Sequence, residues 1–310
     1  MKILLTGRNG QLGWELERTL APLGEVHAVD RQMLDLADPD RLAAAVRELK
    51  PEVLVNAAAY TAVDRAESEP EAAFAINARA PGILAEEALR LGALLVHYST
   101  DYVFDGTKAG PYTEDDAPNP LGVYGASKLE GENAIRASGA RHWIFRTSWV
   151  YAPRGKNFFL TVLRLAREGK PLRVVADQSG APTSAAMLAR ATAQALSAQV
   201  QAVARLRSPD AASVARRDAR SATGRAPPAS GVYHMTAAGH TSWHGFASAI
   251  VAEFELHNPI AAIPASEYPL PAIRPANSML DNSRLAAAFG IRMPDWQAGL
   301  REAAATLKAS

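Results

Sequence analysis

The sequence has 310 residues, no cysteine and a formal net charge of +1. This length suffices for one large domain, or about two smaller ones, with a sizeable core. The balanced charge gives no reason to expect nucleic acid as a partner, and the lack of cysteine excludes disulfides and thiolate metal sites.

The chain begins with "MKILLTGRNG", which enters a strand and a glycine turn directly. That leaves no room for a signal peptide. No apolar run approaches the roughly 18 residues that a membrane span needs. We therefore expect a cytoplasmic protein with no membrane partner.

The first half of the chain alternates short apolar runs with helical patterns. Strands are predicted at residues 2–6, 25–30, 52–60, 93–100 and 141–152, and helices at 11–20 and 39–49. A further long helix should begin with a capping box of Ser68 and Glu71 and end near Leu91. Because the strands are continuously apolar, they fit a parallel sheet covered on both faces. The order predicts a doubly wound, Rossmann-like α/β fold.

The second half alternates less regularly and indicates a smaller, mixed α/β region. Helices are predicted at 157–168 and 184–196, and strands at 172–177 and 231–236. Segment 198–230 is rich in Ala, Arg and Ser, which predicts a flexible insertion, with a basic anion-binding arm as the alternative. We assign residues 1–150, joined by about 173–197 and 231–236, to a dinucleotide-binding domain. Residues 151–172 and 237–310 would bind the substrate.

The glycine turn "TGRNGQLG" is the first candidate site. Gly7, Gly10 and Gly13 follow the first strand and open the first helix. Such a turn lets the backbone approach a pyrophosphate, and the helix N-terminus supplies amide donors. The pattern therefore predicts a dinucleotide site that includes Gln11 and Leu12.

Further cofactor contacts are expected at the ends of the second and third strands. Asp30 lies where an acidic residue usually holds the adenosine ribose, whereas Arg31 could pair with a 2′-phosphate. NADH and NADPH both stay open. Asp35 and Leu36 could flank the adenine or only form a turn. Close approach of the cofactor is also predicted for Ala58, Ala59, Tyr60 and Thr61.

Tyr124 and Lys128 are the candidate catalytic pair. Residues four apart share one helix face. A phenol with a pKa of about 10 is a poor acid at neutral pH, and a nearby ammonium lowers that pKa. We predict that Lys128 does so and also binds the cofactor ribose. Gly122 and Gly125 should leave backbone room beside the cofactor, and Thr100 should lie at the carboxyl edge of the sheet, where ligands bind.

Four segments, "TGRNGQLG", "YSTDYVFDG", "VYGASKLEGE" and "RTSWVYA", resemble the extended short-chain dehydrogenase/reductases. With "DQSGAPTS", "GVYHMTAAGHTSW" and "RPANSML", the chain is similar, more narrowly, to the dTDP-4-dehydrorhamnose reductase family. The resemblance implies reduction of the C4 keto group of dTDP-4-dehydro-β-L-rhamnose by NADPH or NADH. Tyr124 would be the general acid, and Thr100 would contact the reacting oxygen.

The resemblance also implies contacts to a sugar nucleotide. Asp101 and Trp149 match family positions that contact the sugar, although Trp149 could instead fill the core. Tyr102 is a further candidate, with a packing role as the alternative. Arg274 and Asn277 are expected to hold the nucleotide diphosphate.

A metal-bridged dimer is not expected. Some bacterial members of the family join two subunits through Mg²⁺ and glutamates, and Glu15 matches one such position. Residues 184–187, after "GAPT", lack the matching carboxylate. His240 and His244 have helical ligand spacing but no third ligand, so no metal site is predicted. A homodimer stays an open alternative.

Three rival functions can be weighed against these motifs. A sugar-nucleotide dehydratase of the same superfamily carries a Glu after its "TD" pair, where this chain has Tyr102. A sugar-nucleotide epimerase is disfavoured by "GQLG" and "STDYVFDG" but stays open. A non-catalytic regulatory subunit would bind dinucleotide without turnover, and the intact set of Thr100, Tyr124 and Lys128 favours an enzyme instead.

Overall fold

Six parallel strands form the central sheet of the computed structural model, which describes residues 1–206 and 228–309. Along the chain these strands are β1 (Lys2–Thr6), β2 (Glu25–Val29), β3 (Val53–Asn56), β4 (Leu94–Thr100), β5 (His142–Thr147) and β10 (Gly231–His234). Their spatial order is β10-β5-β4-β3-β1-β2. The order reverses between β1 and β3, which is the switch point where ligands bind in this fold class. The predicted doubly wound sheet is confirmed.

Helices cover both faces of this sheet. The described residues form the helices α1 (Gln11–Leu20), α2 (Pro39–Leu49), α3 (Val63–Ala66), α4 (Pro70–Phe74), α5 (Ala80–Leu91), α6 (Val123–Ala137), α7 (Phe158–Arg167), α8 (Ala185–Leu206), α9 (Trp243–Glu253), α10 (Ser283–Phe289) and α11 (Trp296–Lys308). Successive residues of β1 alternate between the two apolar clusters: Ile3 and Leu5 pack with α1 and α8, and Leu4 packs with α2, α5 and α6. Double coverage explains why the strands are continuously apolar.

Besides the central sheet, the described residues form three small two-stranded sheets. β6 (Val150–Tyr151) pairs with β9 (Thr183–Ser184), β7 (Leu172–Val175) with β12 (Ile260–Ile263), and β8 (Ser179–Gly180) with β11 (Thr241–Ser242). Residues 173–197 were expected to join the dinucleotide-binding domain. Within this segment, α8 packs on α1. β7 lies outside the central sheet because its backbone pairs with β12.

The predicted capping box is wrong. Ser68 Oγ donates to Arg65 O at 3.0 Å instead of capping a helix. Pro70 begins α4, and a proline suits a first helical position because no N–H is needed there. The helix then widens into a π turn at Ala75–Arg79 before α5 begins. Such π turns are frequent at functional sites, so this turn points to a nearby functional site.

Three predicted boundaries also differ. The strand predicted at 52–60 ends at Asn56. The strand expected to reach residue 152 stops at Thr147, and the backbone of Trp149 turns to φ +50° before β6 begins. The helix expected to end at Leu196 continues to Leu206, because its Ala-rich sequence contains no glycine or proline. Most of the predicted flexible insertion, 207–227, lies outside the described residues. Among the residues described, no helix has both the length and the apolar character to cross a membrane.

Candidate active site

The glycine turn fits closely against the end of β3. Gly7 has φ +80°, and a Cβ there would lie 2.8 Å from the backbone nitrogen of Ala58. Its N–H donates to Val29 O at 3.0 Å, which ties the turn to β2. Gly13 lies just as close, since its Cβ would be 2.0 Å from Gly7 O. Only glycine fits these two positions.

The N-terminus of α1 faces this turn without a side-chain cap. Gly10 is the N-cap residue, so no side-chain oxygen accepts from the first N–H groups of the helix. Uncapped amides at a helix start can bind a phosphate. The backbone of Gln11 and Leu12 can therefore contribute, whereas the Leu12 side chain lies in the core. The Gln11 side chain is held by Asn157 Nδ2, at 2.8 Å from Oε1. The cradle fits a dinucleotide pyrophosphate.

Asp30 lies exposed at the end of β2, directly beside the turn. Its Oδ1 accepts from the N–H groups of Gln32 and Met33, and its Oδ2 accepts from Asn9 at 3.0 Å. The Met33 amide is the main cause that lowers the pKa of Asp30. The carboxylate therefore stays charged and oriented, as ribose binding requires.

The other candidate residues near the expected adenosine position already contact other parts of the protein. Arg31 is exposed and lies 3.4 Å from Asp35 Oδ2, so a 2′-phosphate would compete with that carboxylate. Asp35 also caps its own turn by accepting from the Ala37 amide. The Leu36 side chain is buried in the cluster under α2. An adenine contact by Leu36 would therefore involve its backbone.

Asn77, on the π turn, positions the candidate site and was missed by the sequence reasoning. It holds the loop after β3 through two hydrogen bonds: its Oδ1 accepts from Tyr60 N at 2.8 Å, and its Nδ2 donates to Tyr60 O at 3.0 Å. The same Nδ2 lies 3.0 Å from Ser127 Oγ on α6. Asn77 thus fixes the candidate loop of Ala58, Ala59, Tyr60 and Thr61 relative to the helix of Tyr124. The π turn that places it there leaves no recognisable pattern in the sequence.

Thr100, Asp101 and Tyr124 meet at the carboxyl edge of the sheet. Thr100 Oγ1 donates to Asp101 Oδ1 at 3.1 Å and accepts from Tyr102 N at 3.2 Å. Burial raises the pKa of Tyr124 to about 12, and a hydrogen bond with Thr100 partly opposes this. Burial likewise raises the pKa of Asp101 to about 6. The phenol is therefore protonated at neutral pH.

Lys128 lies behind this group, and its predicted effect on Tyr124 is wrong. The side chain is 2% exposed, and Nζ donates to Tyr98 O at 2.6 Å and lies 3.2 Å from His97 Nε2. Burial lowers the pKa of Lys128 to about 8. Desolvation of the phenol raises the pKa of Tyr124 instead, and Lys128 is not among the groups that shift it.

Gly122 and Gly125 make room for other parts of the protein, whereas room for a cofactor was predicted. A Cβ on Gly125 would lie 2.1 Å from Tyr102 O, and one on Gly122 would lie 2.5 Å from Glu67 Oε1. Both positions let α6 approach the loops that carry the site. The positions of the Tyr124 and Lys128 side chains depend on this close approach.

Two aromatic residues, Tyr102 and Trp149, were predicted as sugar contacts. Tyr102 meets Tyr124 edge to face, with ring centroids 5.4 Å apart. Trp149 follows Thr147, which pairs with Thr100 across the sheet. Its ring stacks on Trp243 at 3.6 Å, a partner that the sequence reasoning missed because nothing in "GHTSW" indicates it.

The structure gives Arg274 and Asn277 different surroundings. Arg274 forms a bidentate ion pair with Asp64, with Nη1–Oδ1 at 2.8 Å and Nη2–Oδ2 at 2.7 Å. It lies close enough to Tyr102 to influence its pKa. Asn277 Nδ2 donates to Lys108 O and Gly110 O, and its Oδ1 accepts from Met279 N. Asn277 therefore organises loops, and the diphosphate contact expected of it would require these bonds to break.

Within residues 1–206 and 228–309, no group of three or more His, Asp or Glu side chains is arranged to hold a metal ion. Glu15 lies near Arg190 and Glu302, and burial raises its pKa. Arg190 Nη2 binds Glu302 Oε2 at 2.6 Å. His244 Nε2 lies 3.3 Å from the carbonyl oxygen of Ile260.

Comparison with known proteins identifies the family of the chain. The family model described as the RmlD substrate binding domain matches residues 1–309. A dTDP-4-dehydrorhamnose reductase of Burkholderia thailandensis is 52% identical over an alignment of 305 positions, which covers 96% of each chain. A dTDP-4-dehydrorhamnose reductase structure from Clostridium acetobutylicum has a TM-score of 0.85 at 36% identity and covers 99% of this chain and 100% of that one. The Bacillus anthracis structure, in complex with NADP, has a TM-score of 0.82 at 32% identity and covers 98% and 99%.

These matches extend over nearly the whole chain and include the glycine turn, the Thr100 edge and the Tyr124 helix. They confirm the resemblance seen in the sequence motifs. The chain belongs to the family of the RmlD substrate binding domain, alongside proteins named dTDP-4-dehydrorhamnose reductase.

Proposed function

We propose that the protein is a dTDP-4-dehydrorhamnose reductase, which reduces the C4 keto group of dTDP-4-dehydro-β-L-rhamnose to give dTDP-β-L-rhamnose. The observation that carries this proposal is the half-buried, protonated Tyr124 beside Thr100, at the same sheet edge as an uncapped glycine turn. Relatives with that name match the full length, and one such structure contains NADP. The bound NADPH or NADH supplies the hydride.

Each step on the protein side falls to a residue at that edge. Tyr124 gives its proton to the C4 oxygen as negative charge develops there. Thr100 orients the phenol and the reacting oxygen. Lys128, behind Tyr124, is the proposed contact to the nicotinamide ribose. Asp30, Gln11 and Leu12, with the three glycines, would hold the rest of the dinucleotide.

The substrate would lie between the edge of the sheet and the second region. We propose Asp101, Tyr102 and Trp149 as the sugar contacts. Arg274 is the proposed diphosphate contact, because its guanidinium is only partly buried. The division into a dinucleotide half and a sugar-nucleotide half, a cytoplasmic location and a homodimer also belong to this proposal.

The test is a coupled assay with a matched pair of variants. dTDP-4-dehydro-6-deoxyglucose is epimerised to the L-sugar, the protein is added, and oxidation of NADH and of NADPH is followed in parallel. We expect oxidation that depends on epimerised sugar. Tyr124→Phe should lower kcat by at least about 100-fold, the scale of a lost general acid, with cofactor affinity close to that of the wild type.

The matched control is Tyr151→Phe, because the Tyr151 hydroxyl is buried without a hydrogen bond among the described residues. Its kcat should stay near that of the wild type. Unchanged kcat in Tyr124→Phe would remove Tyr124 from the acid role. Cofactor binding without oxidation would favour the regulatory-subunit alternative, and turnover of another sugar nucleotide would favour the epimerase alternative.

A further inference from the structure

Four buried polar side chains form a continuous chain from β1 to α6. Thr6 Oγ1 donates to Asn56 Oδ1 at 2.6 Å, Asn56 Nδ2 lies 3.0 Å from His97 Nδ1, and Lys128 Nζ lies 3.2 Å from His97 Nε2. The exposed fraction is 3% for Thr6, 1% for Asn56, 0% for His97 and 2% for Lys128. Because water does not reach these groups, each bond needs one donor and one acceptor.

This requirement fixes where the protons lie. Asn56 Nδ2 is a donor, so His97 Nδ1 must accept and the ring proton must be on Nε2. That proton faces Lys128 Nζ, which must then offer a lone pair. An ammonium has no lone pair, whereas a neutral amine has one and can still donate to Tyr98 O. The arrangement in the structure therefore matches Lys128 as a neutral amine.

We infer that Thr6, Asn56, His97 and Lys128 form a two-state hydrogen-bond chain in which His97, as a positioning residue, couples the charge of Lys128 to the orientation of Asn56. When Lys128 takes up one proton from solvent, its nitrogen can only donate. His97 stays neutral but carries its proton on Nδ1. The Asn56 amide turns, so that Oδ1 accepts from Nδ1 and Nδ2 donates to Thr6 Oγ1. The three bonds that link the four side chains are kept and each reverses its direction, while Lys128 donates to Tyr98 O in both states.

The surroundings of Lys128 leave this equilibrium near neutral pH. On β4, His97 faces it, and the Tyr98 hydroxyl points away to Thr192 at 2.6 Å. On α6, Glu132 favours the ammonium. The Glu132 carboxylate also binds Arg146 of β5, at 2.9 and 2.6 Å, and Ser99 of β4. Arg146 therefore compensates most of the charge that would attract the Lys128 ammonium.

Burial disfavours the charged forms of both Lys128 and His97. It lowers the pKa of Lys128 to about 8 and the pKa of His97 well below its usual range. A doubly protonated His97 is thereby disfavoured, which leaves the two neutral tautomers as the states of the chain. Both states of Lys128 are then populated between about pH 7 and pH 9.

The consequence for the reaction rests on the proposed function. In the cofactor-free protein, a neutral Lys128 leaves no ammonium behind the Tyr124 phenol. An anionic dinucleotide held by the glycine turn would favour the ammonium. Cofactor binding should therefore take up a proton, and Asn56 and Thr6, at the end of the strands beside the turn, should change orientation with it.

The first experiment is a pH titration of the cofactor-free protein, labelled with ¹⁵N-histidine and followed by NMR. The His97 signals are those missing from His97→Gln. We expect Nε2 to be protonated at pH 9.5 and Nδ1 at pH 6.5, with a midpoint near pH 8. In Asn56→Asp, the carboxylate accepts from Nδ1, so the Nδ1-protonated pattern should persist to higher pH.

Two controls keep the test decisive. Lys128→Met should abolish the pH-dependent exchange of tautomers, and if it fails to fold, the wild-type titration alone decides. NADPH binding, measured by calorimetry at pH 8 in buffers of different ionisation enthalpy, should show proton uptake that is lost in Lys128→Met. A single His97 tautomer across the range, or a doubly protonated ring, would overturn the inference. Neither readout depends on turnover, so a failed reductase assay would leave these results standing.

Discussion

Asp101 shows how a single buried residue can trade stability for its position in the site. Its side chain is 2% exposed, and its hydrogen bonds with Ser278 and Thr100 only partly offset the cost of burying the charge. Burial raises its pKa to about 6, above the value of about 3.9 for an unfolded chain. Between these two values the folded protein holds a proton that the unfolded chain has lost. Stability therefore falls as pH rises from about 4 to about 6, and the loss persists above that window.

We predict that Asp101→Asn stabilises the protein at pH 7.5 by about 2–3 kcal/mol and has little effect at pH 4. The amide keeps an oxygen for Thr100 and has no charge to bury. Urea unfolding at both pH values measures the difference. Asp115→Asn, whose side chain is 81% exposed, is the control and should change stability by less than about 1 kcal/mol. A less stable Asp101→Asn variant at pH 7.5 would contradict the argument.

The residue types of the site were predictable from sequence, but their protonation was not. Motifs located Thr100, Tyr124 and the glycine turn because their chemistry depends on local spacing. The pKa of Tyr124 depends on how much protein covers it, and the partners of Lys128 come from β4. Such tertiary neighbours leave no trace in a four-residue spacing.

Among the elements, α6 is positioned by its glycines against the π turn. A Cβ on Gly131 would lie 2.1 Å from Asn77 O. We predict that Gly131→Ala destabilises the protein by about 1–3 kcal/mol, despite the better helix propensity of alanine, because a backbone oxygen cannot move aside. NADPH affinity should fall as well, since Asn77 holds Tyr60 and Ser127. Urea unfolding and NADPH fluorescence titration measure both effects.

Gly110→Ala is the matched control, because a Cβ there meets nothing within 4 Å. It should change stability by less than about 0.5 kcal/mol. If Gly131→Ala behaved like this control, α6 would not depend on close approach to the π turn. The helix itself was predictable from its pattern, whereas the turn at Ala75–Arg79 was not, because it exists through the partners of Asn77.

In the whole molecule, one apolar cluster joins the two proposed regions. It includes Leu16 of α1 and Phe246 of α9, both fully buried. We predict a single calorimetric unfolding transition. Leu16→Ala and Phe246→Ala should each lower the free energy of unfolding by about 2–5 kcal/mol and shift this one transition to lower temperature. Ile273→Ala is the control, since that side chain is 65% exposed. Two separate transitions, each sensitive to only one variant, would show that the regions fold independently.

The direction of β10 also has a practical consequence for labelling this protein. Because β10 runs parallel to β5, the residues before it lie at the edge of the sheet opposite Thr100 and Tyr124. Ala229 is exposed there, and the sequence has no cysteine. Ala229→Cys would therefore create a unique thiol for a fluorophore or a surface tether, on the side of the molecule where neither dinucleotide nor sugar is expected to approach.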